Sequence, residues 1–169
     1  SGGFMSRMLK ITGLTVENFQ GFGQIVDAGL KDPRIVEEDF TFWNCLGQIQ
    51  LADPVDFAFL EVRKRSKTFS KIERHHKSPE AFYALRGDCL MLAAPPTPDQ
   101  GYPDPDTVRA FYLPEGKGLI YDIGTWHWLP YPLGDKSHLL VIGRLGTSDE
   151  DCEIVDMQDI GVSFTLDLG

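Results

Sequence analysis

Hydrophobic and polar residues alternate along most of this chain with the period of β-strands. From Val55 the period is two: Phe57, Phe59 and Glu61 fall on one face and Ala58, Leu60 and Val62 on the other, which predicts a buried strand. Short runs of similar character follow at Thr68–His75, Ala81–Arg86, Asp88–Ala93, Val108–Leu113, Gly118–Tyr121, His138–Gly143 and Val162–Leu166, most of them set off by turn residues. An earlier strand is expected around Gln24–Val26. The one helical signal lies at Leu14–Phe19, where Thr15 is placed to cap a short N-terminal helix that Gly21 and Gly23 stop. The pattern predicts an all-β sandwich or small barrel preceded by that short helix.

Length and composition add limits. At 169 residues the chain is the size of one domain, 1–169, with Ser1–Phe4 ahead of Met5 set aside as a cloning remnant. The stretch 94–106, APPTPDQGYPDPD, reads as an extended surface loop, because strands resume on both sides of it. The net charge of −9 argues against nucleic acid as a partner. It also means that an anionic ligand needs a locally basic pocket. Arg63-Lys64-Arg65 and Lys67 are the one concentration of positive charge, and they read as a solvated face from which Arg63 alone points into a cavity. Three cysteines at unrelated spacings fit reduced thiols and a cytoplasmic location. The longest apolar run, Leu139–Ile142, is far too short to span a membrane.

Two stretches carry the candidate chemistry. ERHHKSPEAFYALRG runs from Glu73 to Gly87, and GKGLIYDIGTWHWLPYP from Gly116 to Pro132. As a strand, Thr68–His75 places Phe69, Lys71, Glu73 and His75 on one face and Ser70, Ile72 and Arg74 on the other; with charge on both, its end reads as the mouth of a pocket. His75 or His76, with Glu80 and His127, could offer imidazole and carboxylate ligands to a divalent metal. Trp126, Trp128 and Tyr131 read as core or pocket wall.

The spacing of Glu80 to Gly87, followed by Gly116, Asp122, Gly124 and His127, resembles the paired motifs of the cupin superfamily, which implies a cupin-like double-stranded β-helix, a small barrel with a site inside. Where such motifs usually read H-x-H this chain has Glu73-Arg74-His75-His76, so the stretch reads better as the wall of a small-anion pocket in which Glu80 and Gly87 chiefly fix the turn. A narrower likeness runs through Glu73-Arg74-His75, Ala81-Phe82, Arg109-Ala110-Phe111, Gly118, Tyr121, Trp126-His127, Arg144 and Asp151-Cys152-Glu153. In this order and at these distances they resemble the ureidoglycolate lyase family.

That resemblance implies an enzyme of purine and allantoin breakdown that releases urea from ureidoglycolate and leaves glyoxylate. It implies an acid/base at His127, with His75 second and Asp122 as a further carboxylate, and a small anionic substrate held by Arg74 or Arg63 among Glu73, Tyr121 and Trp126. Asp122 and Trp128 stand where family members often carry imidazoles. Two other readings stay open: a metal-dependent isomerase or oxygenase on the same barrel, and a non-catalytic barrel that binds small acids. Pairing through an open edge strand makes a homodimer the expected assembly.

Overall fold

The computed structural model describes residues 5–169. Its strands, in chain order, are β1 (Met5–Gly13), β2 (Gly23–Val26), β3 (Ile35–Val36), β4 (Thr41–Phe42), β5 (Val55–Arg63), β6 (Thr68–Phe69), β7 (Lys71–Arg74) and β8 (Glu80–Arg86). They continue with β9 (Cys89–Ala94), β10 (Arg109–Leu113), β11 (Gly118–Tyr121), β12 (Trp126–Pro132), β13 (Lys136–Arg144), β14 (Glu153–Asp156) and β15 (Val162–Asp167). A single α-helical turn, α1 (Thr147–Glu150), precedes β14. The all-β expectation holds, as curled sheets that form a half-barrel.

One sheet has the order β14-β7-β12-β9-β10-β1-β15-β6, a second has β2-β11-β8-β13-β5, and β3 and β4 form a separate ribbon. Every residue of β9 is buried because the strand lies between two cores. Cys89, Met91 and Ala93 face the interior shared with the second sheet, among Phe82, Phe111, Leu119 and Tyr121. Leu90, Leu92 and Ala94 face the other core, with Ile72, Trp126, Phe164 and Leu166. Alternation on a strand therefore separates two apolar environments here, not core from solvent.

The predicted N-terminal helix is not formed. Thr15 does cap, its Oγ1 accepting from Asn18 N–H at 3.1 Å, and Phe19 N–H reaches the Thr15 carbonyl at 2.9 Å. The next bonds then tighten to a three-residue spacing, Gln20 to Glu17 and Phe22 to Phe19, and the segment remains a series of turns. Burial of Phe19 and Phe22 against Phe111 draws the chain inward faster than a helix would rise.

β5 also departs from expectation. It is the edge of its sheet and largely exposed, with Phe57 at 69% and Phe59 at 64%. The face that turns inward carries Leu60 and the buried Val62, so Arg63 lies outside with Phe57 and Phe59, where its guanidinium donates to Glu61 at 2.6 Å. Thr68–His75 is split at Ser70 into β6 and β7, while β1, β12 and β14 were not expected as strands. The turn from β8 to β9 requires its glycine: Gly87 has φ +80°, and a Cβ there would come within 2.9 Å of the Lys136 carbonyl oxygen. Residues 1–4, read as a remnant, lie outside the described residues.

Candidate active site

The β7 alternation decides what enters the barrel. Glu73 pairs in register with His127 on β12, and His127 with Ala93 on β9, so all three share the interior face. Ile72 and Arg74 point to the opposite core. His75 follows at the end of β7, and Glu80 opens β8 across the turn. Four side chains from three strands and a turn converge: Glu73, His75, Glu80 and His127. His75 Nε2 lies 3.3 Å from Glu80, and His127 Nε2 lies 3.4 Å from Glu80 and 3.5 Å from Glu73. The imidazole centroids are 4.8 Å apart.

Backbone carbonyls fix the orientation of both rings. His75 Nδ1 lies 2.6 Å from the Asp151 carbonyl, and His127 Nδ1 lies 3.1 Å from the Thr125 carbonyl. A carbonyl only accepts, so each Nδ1 donates and each Nε2 is turned to the cluster. Both Nε2 atoms are buried and neither makes a well-aligned hydrogen bond.

Burial alone lowers the pKa of His75, but the hydrogen bond and charge of Glu80, helped by the Asp151 carbonyl and Glu73, outweigh it and raise the value to about 9. Glu80 is the mirror case: burial raises its pKa, and the bonds and charges of His127 and His75 bring it down to about 2. A protonated His75 beside an ionised Glu80 is the consequence at neutral pH.

The Asp151-Cys152-Glu153 segment braces this cluster from behind. Asp151 carboxylate oxygens accept from the His76 and Lys77 backbone N–H groups at 2.9 and 2.8 Å. The Cys152 thiol donates to Glu73 Oε2 at 2.7 Å, and burial followed by the Glu73 contact pushes that thiol up to about 12. Glu153 takes the Arg74 guanidinium through Nε at 2.8 Å and Nη2 at 3.2 Å, and also contacts His76.

Several expected site residues therefore lie elsewhere. Arg74 sits over the Trp126 ring at 4.3 Å, on the far side of the sheet from Glu73, and Trp126 is buried there with its Nε1–H on Thr97. His76 is exposed and tied to Glu153. Asp122 is an exposed turn residue whose backbone N–H reaches the Phe22 carbonyl. Tyr121 does adjoin the cluster, as its buried ring stacks on His127 at 5.0 Å and 17°. Glu80 does more than fix a turn, since it faces both imidazoles.

A cavity of about 260 Å³ opens over the cluster, with Glu73, Glu80, His127, Trp128, Leu129 and Val141 in its wall. Trp128 and Leu129 reach it because the β12 register shifts between Trp128 and Tyr131, an irregularity that Pro130 permits. No alternation in the sequence announces this wall, although the two prolines were its one visible signal. A larger cavity, about 450 Å³, lies on the outer face of the second sheet under residues 43–49 and contains none of the ionisable cluster.

A divalent cation fits the donor set. One ligand atom each from Glu73, His75 and His127 lies within 4.8 Å of the others. The 3.3–3.5 Å contacts with Glu80 and Glu73 match the roughly 3.0–3.5 Å edge of a coordination shell with bonds of about 2.1 Å. The two unpartnered Nε2 atoms, each with its other nitrogen on a carbonyl, have the outer-shell arrangement of metal-binding imidazoles.

Fold and site together define a half-barrel protein with a carboxylate and imidazole centre at its mouth. The sequence profile described as Ureidoglycolate lyase matches residues 6–163. The chain belongs to the ureidoglycolate lyase family, and it is a lyase. It is 29% identical to the ureidoglycolate lyase of Pseudomonas aeruginosa (strain UCBPP-PA14) over 153 residues, covering 87% of this chain and 89% of that one. Against the Azotobacter vinelandii ureidoglycolate lyase the identity is 29% over 146 residues, covering 83% and 87%. Among solved structures, chains of Bacillus subtilis oxalate decarboxylase align with TM-score 0.42 and 16% identity over 64% of this chain and 25% of theirs.

Proposed function

We propose that this protein releases urea from ureidoglycolate, leaving glyoxylate, in the breakdown of allantoin. Family membership favours this lyase reading over the metal-dependent isomerase, oxygenase and binding-protein readings. The observation that carries it at the level of residues is the pairing of two oriented imidazoles with Glu73 and Glu80 beneath a small cavity. His127 Nε2 accepts the proton of the substrate carbinol hydroxyl, the C–N bond breaks as the carbonyl forms, and charged His75 returns a proton to the departing urea nitrogen. Glu80 keeps His75 charged, and Tyr121 backs the His127 ring.

Alternatively, Glu73, His75 and His127, with Glu80, would hold a divalent cation, and with it bound the two Nε2 atoms would be ligands and not proton carriers. Such a cation would supply a Lewis acid and a counter-charge for the substrate carboxylate. The test is direct: purified protein is incubated with ureidoglycolate, and glyoxylate is followed against the spontaneous rate. Release above that rate supports the assignment, and none, with or without added divalent metal, overturns it.

We also infer a cytoplasmic homodimer. Three free cysteines support the compartment. The open edge of β5 supports the assembly: Phe57 and Phe59 project beside Ile142 and Leu140, their partners in register, which line the outer cavity. A projection next to an apolar hollow on one face suits a two-fold contact with a second copy.

A further inference from the structure

The site cavity has unlike surroundings on its two sides. On one side it adjoins a small cavity that shares Glu80, Ala58, Val141 and Ser148 with it. That neighbour is lined by Asp56, and its one cation, Arg144, is held by Asp53 and Glu150. On the other side, across Trp128 and Leu129, lie two hollows lined by cations. One is lined by Lys64, Arg65 and Leu129, together with Arg63 and its partner Glu61; the other by Arg65, Lys71 and Trp128.

The cations on that side make few ion pairs. Among the described residues, Lys64, Arg65 and Lys67 have no carboxylate within ion-pair distance; Lys71 makes no close ion pair but stands opposite Asp156 in register, and Arg63 is paired with Glu61. Arg65 is neutralised by nothing: its guanidinium donates to the carbonyls of Pro130 and Leu129, at 2.9 and 2.8 Å, and so is anchored on the site wall itself. The chain as a whole carries −9. An anion far from the surface is repelled, and a local group of cations beside the mouth is what reverses the sign of the potential there.

We infer that the segment from Lys64 to Lys71 is an electrostatic entrance that draws an anionic substrate into the site across Trp128 and Leu129. This rests on the ureidoglycolate reading, in which the substrate carries a carboxylate. It assigns to Lys64, Lys67 and Lys71 a role in substrate capture and none in bond breaking. At low salt, a double reversal of Lys64 and Lys67 beside the mouth is expected to be worth roughly five- to tenfold.

The experiment is steady-state kinetics of the whole protein on ureidoglycolate at ionic strengths from about 0.01 M to about 0.3 M, over which the screening length falls several-fold. Wild type should lose kcat/KM several-fold as salt rises. Lys64→Glu with Lys67→Glu should lower kcat/KM about five- to tenfold at low salt, all in KM, and should converge on wild type at high salt. The neutral pair Lys64→Gln with Lys67→Gln should fall between them. Arg34→Glu, on an exposed residue ahead of the separate β3–β4 ribbon, changes net charge in the same sense and should have little effect. Turnover that ignores salt, an equal loss in Arg34→Glu, or a loss in kcat overturns the entrance while leaving the lyase assignment intact. Absence of wild-type turnover overturns both.

Discussion

Replacing Glu80 with Gln tests whether one carboxylate holds the proton of the site. Glu80 faces both imidazoles, at 3.3 and 3.4 Å, and is the main reason that His75 stays charged against its own burial. The folded pKa of His75 is about 9, against about 6.5 for an unperturbed imidazole. A raised pKa gives stability that is fully present below 6.5 and is lost as pH rises through 9. Glu80 has the opposite sign: its folded value of about 2 gives stability that is present above the ordinary carboxylate range and lost as pH falls through 2. The metal-free wild type should therefore be most stable between about pH 4.5 and 6.5 with respect to this pair.

At pH 7 His75 binds its proton about 100:1 in the folded chain and about 1:3 in the unfolded one, a difference of about 2–3 kcal/mol for the interaction that the two residues share. Glu80→Gln removes most of it. The loss stays under the ~3–5 kcal/mol expected of a stranded buried charge, because His75 can shed its proton and accept from the new amide instead. Urea unfolding of chelator-treated protein from pH 5 to 9.5 reads this out. Wild type should weaken steadily between pH 6.5 and 9, and the variant should be weaker at pH 7 and nearly flat over the same range. An unchanged slope in the variant refutes the assignment of the proton to this pair.

His127→Ala should lower kcat on ureidoglycolate by about 10²–10⁴ while circular dichroism stays that of wild type. Arg74→Ala should cost about 1.5–3 kcal/mol of stability, since the guanidinium braces Glu153 over Trp126; KM should barely move, and a tenfold rise would return Arg74 to the substrate. If the proposed dimer forms through β5, Phe59→Asp should leave a monomer by light scattering, with the fold retained, because the side chain is 64% exposed in the isolated chain. Dialysis with Mn²⁺ or Zn²⁺ followed by elemental analysis should find one ion per chain, and Glu73→Ala should weaken it by at least tenfold.

Much of the fold was legible in the residues. The strands around Gly87 and Gly118 could be read because turn glycines bracket short alternating runs there. The faces of β7 were also correct, with Glu73 and His75 together and Arg74 opposite, and this predicted half of the site. What alternation leaves open is which face is inside. On β5 the aromatic residues lie outside, and on β7 the wrong assumption was that Arg74 shared the cavity with its neighbours, when a second core receives it. β12 escaped because its register shift and two prolines erase period two, and with it went Trp128 and Leu129, the wall of the cavity. The convergence of Glu80 on both imidazoles depends on how β8 lies against β11 and β13, in the sheet across the interior from β12. No local pattern encodes that.

The pairing of Glu73 with Glu80 sets the charge of the site. Two carboxylates and two imidazoles carry −2 before a proton or cation arrives, and the proposed substrate is itself an anion. Capture then needs positive charge from two sources that act at different ranges. Outside, the cations from Lys64 to Lys71 reverse the field of an acidic chain. Inside, the proton on His75 or a divalent cation among Glu73, His75, Glu80 and His127 offsets the carboxylates. The basic rim and the hold of Glu80 on His75 are therefore linked: each offsets, at its own range, the two carboxylates that Glu73 and Glu80 bring to the site.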